Sequence, residues 1–258
     1  MTDDARPHSY APEPPRRGVA IAVLVYVALA LGTDLLASLS VTWTFGVLDE
    51  GFRWRVLHHS LAGWRDVLPL PAALTGWMDA DVLRTLDVYK VLVWLVIPVA
   101  VSLPRMDWGA LGFRRWKRAD VYLLAGLAVV GLGAVLLITQ VDALRQFYPS
   151  LRHHTAAWKW HYCLEQLVWI GSWLLGWEFM HRYFLLRHVN GLWPRFGWLA
   201  VPAFEAAYHL TKLPIEAAGM LAIGVAFTYW SRRRGNMMLP LLVHLVIELA
   251  LPITRIVV

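Results

Sequence analysis

The stretch GWEFMHRYFLL at residues 176–186 decides how this chain is read. It sets Glu178 and Arg182 four residues apart inside an apolar run. Two later stretches repeat the arrangement: AFEAAYHLTK at residues 203–212 carries Glu205 and His209, and LLVHLVIELALP at residues 241–252 carries His244 and Glu248. Lys212 and Glu216 follow directly on the second as a further pair. Residues four apart share one helix face, so each pair presents two polar groups together. Ionisable groups within a bilayer are costly and by default mark a functional site. Carboxylates and imidazoles gathered in the last third of the chain compose an acid–base site rather than a lipid-facing wall.

Composition supplies the bilayer. Of the 258 residues 58% are hydrophobic and only 16% charged, where a soluble domain carries roughly 25% charged residues. The expected fold class is all-α, a polytopic transmembrane helical bundle of about seven spans. The formal charge of +6 reads as topology signal, because no basic motif with interleaved aromatics points to nucleic acid. The 15 tryptophans suit belts at the membrane interfaces. A lone cysteine, Cys163, excludes an intramolecular disulfide and a cysteine-cluster metal site.

Residues 1–17 are polar and proline-bearing and read as a disordered cytoplasmic tail. Residues 18–164 read as an N-terminal transmembrane region with spans near 18–41, 88–103 and 121–139, joined by long loops. Residues 165–255 read as the catalytic core, with spans near 167–187, 197–211, 216–231 and 237–254. An N-terminus inside places the tail, the Arg/Lys loop 104–120, the turn 188–196 and Arg232–Arg234 on the cytoplasmic side, as the positive-inside rule requires. The protein is therefore expected to be an integral, multi-pass membrane protein, in a bacterial inner membrane. The fifth and sixth spans are short, and Pro214 breaks the helix between them, so 197–231 reads as a hairpin whose turn stays partly inside the membrane. At about 1.5 Å per residue, Glu178, Glu205, His209, His244 and Glu248 all fall about 11–18 Å from the cytoplasmic face. One site, opening toward the cytoplasmic half, is expected from that shared depth. His181 and His188 read as interfacial, and the pairs His58-His59 and His153-His154 as loop histidines.

A desolvated carboxylate beside two imidazoles polarises a water, and a histidine can donate to a developing oxyanion. The bland alternative makes Glu178/Arg182 a structural ion pair and each histidine a satisfied core residue. A metal site is a further alternative: His209, His244 and Glu178 form a two-histidine, one-carboxylate zinc set, although HExxH is missing. No cofactor is expected, with zinc as the alternative.

The three stretches resemble, in order, the motifs of the CPBP family of intramembrane proteases, which includes CAAX prenyl endopeptidases and bacteriocin-processing, ABI-like proteins. The family's EExxxR is similar to residues 177–182, WEFMHR; its FxxxH to residues 205–209, EAAYH; its HxxxN/D to residues 244–248, HLVIE. The resemblance implies a glutamic-type endopeptidase that cuts a membrane-associated or lipidated peptide or protein substrate. Three departures stand out. Trp177 replaces the first glutamate, which the family's mechanism treats as the water-activating base. Glu205 replaces the phenylalanine, and Glu248 replaces Asn or Asp. The resemblance leaves Glu178 or Glu205 as the base, His209 and His244 as positioning and oxyanion groups, Glu248 orienting His244, and Arg182, Lys212 and Glu216 in support. Two other classes stay open. One is an inactive relative serving as a peptide-binding, immunity or scaffold protein. The other is a proton-coupled transporter, against which no inverted repeat is visible.

Overall fold

A computed structural model describes residues 17–38, 83, 85–112, 116–210 and 212–258. Among them the regular structure is helical throughout. The tail 1–16, most of the acidic loop 42–87 with His58-His59, and Arg114 and Arg115 of the basic loop lie outside the described residues.

The elements are α1 (Arg17–Ser38), α2 (a π segment Lys90–Val96 running into Ile97–Ser102), α3 (Arg118–Leu137), α4 (Asp142–Phe147), α5 (Ala156–Glu178), a π segment (Phe179–Leu185), α6 (Leu186–Leu192), α7 (Ala200–His209), α8 (Pro214–Arg234) and α9 (Met238–Val257). A helix occupies each of the seven expected spans. Three of them, α1, α3 and α9, are long and apolar enough to cross a membrane by length and composition.

Two boundaries differ from expectation. The helix expected from about 167 begins at Ala156, capped by Thr155, whose Oγ1 accepts from the Trp158 amide at 3.3 Å. It then runs through 23 α, 7 π and 7 α residues without a break. Residues 156–165 are therefore helix and not loop, and the cap signal Thr155 identifies the start. The second is the short helix α4, which occupies part of the expected loop after α3.

The α5–π–α6 rod is the centre of the molecule. Trp177, Phe179, Met180, Tyr183, Leu185 and Leu186 on it are almost fully buried, against Val27 of α1, Trp94 of α2 and Val201 of α7. A smaller cluster of Phe227, Trp230, Leu239 and Val243 joins α8 to α9. The outward face of α3 (Tyr122, Val129, Val130, Leu136) stays exposed, as a lipid-facing wall does. Helices in lipid associate by close packing and polar bonds. Gly224 shows the first of these: a Cβ there would lie 3.1 Å from Pro202 Cβ and 2.5 Å from Glu205 Oε2, so α7 and α8 approach closely only because the position lacks a side chain. Gly235 ends α8 in the left-handed conformation at φ 59°, which turns the chain straight into α9.

The connections gather at two ends. At one, Arg187 donates to the Arg105 carbonyl (2.9 Å), Arg232 to the Pro194 carbonyl (2.8 Å) and Arg234 to Asp120 (2.9 Å). At the other, Arg255 donates to Tyr162 (2.8 Å) and to the Pro149 carbonyl (3.1 Å), and Thr85 to the Glu165 carbonyl (3.0 Å). The segments expected on the cytoplasmic side that are described thus share the arginine-rich end.

Candidate active site

The site is built around Arg182. Glu178 is the last residue of α5, and the helix widens into the π segment immediately after it. π segments are rare and recur at functional sites. Arg182 Nε lies 3.4 Å from Glu178 Oε2 on its own helix, while Nη2 reaches Glu205 Oε1 on α7 at 2.7 Å and Nη1 donates to Thr228 Oγ1 on α8 at 3.0 Å. Glu178 Oε1 turns the other way and takes His244 Nδ1 of α9 at 2.7 Å. One guanidinium and two carboxylates therefore bind α5, α7, α8 and α9 together. Glu178 and Glu205 have no exposed surface and Arg182 has 1%. Such a group is tolerated in a low-dielectric interior only when paired and hydrogen-bonded.

Above this sealed layer lies a half-open layer, in which the two histidines are mostly buried and the lysine and carboxylates partly exposed. His209 Nδ1 is 2.8 Å from the Glu205 carbonyl. A carbonyl only accepts, so Nδ1 carries the proton and a neutral ring leaves Nε2 as an acceptor. That Nε2 faces Glu216 Oε1 at 4.0 Å. Glu216 takes Lys212 Nζ at 2.7 Å and the Tyr148 hydroxyl at 2.9 Å. His244 Nε2 faces Glu248 Oε1 at 3.6 Å, so both nitrogens of this ring point at carboxylates, a setting that suits a doubly protonated imidazole. The His209 and His244 side chains are each 11% exposed, and Glu216 and Glu248 each 21%.

All eight residues expected from the sequence come together, in two layers: Glu178, Arg182 and Glu205 buried, and His209, Lys212, Glu216, His244 and Glu248 nearer solvent. The half-open layer is bordered by Tyr148 and the Lys212–Glu216 turn, away from the arginine-rich end. The expected opening is toward the cytoplasmic half; the Glu216 side chain itself faces Tyr148. The reason is that α7 and α8 form a hairpin whose turn, started by Pro214 at the first position of α8, carries Glu216 to the far side. His181 is corrected: it is fully buried, with Nδ1 2.8 Å from the Trp177 carbonyl, and not interfacial. Trp177, at the place of the missing glutamate, is buried against Trp94, Tyr208 and His181 and meets the His209 ring edge-on at 6.0 Å. Among the described residues no group of three His, Cys, Asp or Glu side chains converges as a metal site. An apolar groove of about 440 Å³ between α5 and α9, lined by Trp160, Cys163, Leu167, Leu249 and Pro252 among others, contains none of the eight.

Sequence reasoning passed over several contributors. Tyr148 sits in a loop and gave no signal. Thr228 is one hydroxyl in an apolar run. Asp34 and Lys90 did carry a signal, being charges within expected spans. They are buried beside each other at 3.8 Å, with Asp87 Oδ2 at 3.3 Å from Lys90. Tyr208, next to His209, donates to Asp34 and so ties α7 to α1.

Nothing among curated proteins or solved structures matches the chain. Residues 159–250 do match one family, described as type II CAAX prenyl endopeptidase Rce1-like. This segment reaches from α5 into α9 and holds all eight residues. The helices that carry the buried charges thus match, over residues 159–250, the Rce1-like CAAX prenyl endopeptidase family model, in agreement with the family that the three motifs resemble.

Proposed function

We propose that the protein is an intramembrane endopeptidase that hydrolyses a peptide bond of a membrane-associated or lipidated substrate by water activation, without a metal. The observation that carries this reading is the pair of histidines. Each has one ring nitrogen fixed, His209 by the Glu205 carbonyl and His244 by Glu178, and each turns the other toward the half-open layer. His209 Nε2 accepts from a water, and the His244 Nε2–H donates to the oxygen on which negative charge develops. Glu178 and Arg182 act from below: they hold His244 and the α7 backbone in place. By the positive-inside rule the arginine-rich end is cytoplasmic.

One observation favours a second reading. Trp177 stands where the family has its first glutamate, and Glu178 and Glu205 are both engaged by Arg182, as in a relative that binds a peptide and does not cut it. The test uses the full chain in lipid nanodiscs and an internally quenched, farnesylated peptide ending in Cys-aliphatic-aliphatic-X. The protease reading predicts scission that survives phenanthroline and is lost in His209→Ala and His244→Ala. Binding without scission supports the second reading.

A further inference from the structure

We propose that Glu216 is the base that activates the water, in place of the glutamate that Trp177 displaces; this rests on the protease reading above.

The argument begins with who can touch water. Glu178 and Glu205 are the carboxylates nearest the first motif, yet neither has exposed surface. Glu178 is held by His244 and Arg182, and both Glu205 oxygens lie within 2.9 Å of Arg182 Nη2. Glu205 also lies against the α8 backbone, where even a methyl at Gly224 would come within 2.5 Å of Oε2. A base must reach the proton it abstracts directly or through one water. Neither carboxylate leaves space for that.

Glu216 meets each condition. It is partly open, and its Oε1 lies 4.0 Å from His209 Nε2. That separation is too long for a direct hydrogen bond and suits a water bonded to both groups at about 2.8 Å. Two acceptors face that position, so the water gives one hydrogen to the carboxylate and one to the imidazole, and its lone pair is left to attack. Glu216 is also fixed from outside. Lys212 Nζ holds Oε1 and Tyr148 holds Oε2. Burial and the neighbouring carboxylate raise the Tyr148 phenol well above its ordinary pKa, so it stays protonated and keeps donating.

The reaction balances with these groups alone. Water oxygen bonds to the carbonyl carbon as one of its protons passes to Glu216. The carbonyl π electrons move onto oxygen beside His244 Nε2. The tetrahedral species then collapses, the C–N bond breaks, and the leaving nitrogen takes the proton from Glu216. The products are an amine and a carboxylic acid, which loses its proton to solvent.

Two variants in nanodiscs test this, with the farnesylated quenched peptide as probe. Glu216→Gln should lower kcat about 10²–10⁴-fold with KM and thermal stability near wild type, and Glu216→Asp should recover part of the rate. A structural role for the Lys212 pair would instead lower the melting temperature, with gln and asp alike. Wild-type kcat in Glu216→Gln overturns the proposal and leaves the protease reading intact. If the wild-type chain cuts nothing, the protease reading fails, and imidazole ¹⁵N NMR decides the placement of the water. Glu216→Gln should move the His209 Nε2 resonance and leave that of His244; an unmoved His209 resonance overturns the proposal.

Discussion

At the residue scale, the spacing of the polar pairs was readable and their partners were not. Glu178 and Arg182 are four apart, which suggests one intrahelical pair. The π segment after Glu178 re-aims Arg182, so its shortest contact is to Glu205 on another helix and Glu178 turns to His244. Helical periodicity carries no signal for that widening. Glu205 entered the reading as a substitution for a phenylalanine, and its location beside Arg182 gives a physical reason for the charge. Arg182 thus compensates two carboxylates at once. Arg182→Met should leave Glu205 buried without a cation and Glu178 with His244 alone, and cost about 3–5 kcal/mol. Reversible unfolding in mixed micelles measures this, and a loss below about 1 kcal/mol would show that the pairing is dispensable. Trp177 is the residue whose change was visible but whose consequence was not: only the packing shows that an indole fills that place against His209.

Among the elements, helix positions were legible because apolar runs of membrane length leave few alternatives. The break between α7 and α8 was legible from Pro214, whereas the start at Thr155 was missed because the tryptophans and charges before 167 lowered the hydropathy of that run. The α7–α8 hairpin is the element that makes the site. α7 has ten residues and is about 15 Å long, half of a bilayer's apolar thickness. Its end therefore brings His209, Lys212 and Glu216 together at depth rather than at a surface. Gly224→Leu should force α7 from α8 and displace Glu205 from Arg182. Overpacking of this kind costs about 1–3 kcal/mol, and cleavage should fall with it. A variant with unchanged stability and cleavage would mean that the close approach does not position the site.

Across the whole molecule, the charge distribution in the sequence foretold which segments share an end. The basic segments converge through arginine bonds, Arg187 and Arg232 to backbone carbonyls and Arg234 to the Asp120 carboxylate. What charge could not foretell is the side on which Glu216 lies, because that depends on the ten-residue length of α7 and the turn that follows it. Topology is testable with single cysteines in a Cys163→Ser background. Arg233→Cys should react with a membrane-impermeant maleimide only from the cytoplasmic side, and Ser150→Cys only from the other; labelling of both from one side would overturn the seven-span arrangement. The central claim is that the paired histidines of an Rce1-like domain hydrolyse a peptide bond. Mass spectrometry of the farnesylated peptide after incubation with wild-type chain and with His209→Ala tests it most directly. The account predicts one cut, with the mass of one water added across the two products, from wild type and none from the variant. Intact peptide from both, or equal cutting by both, would contradict it.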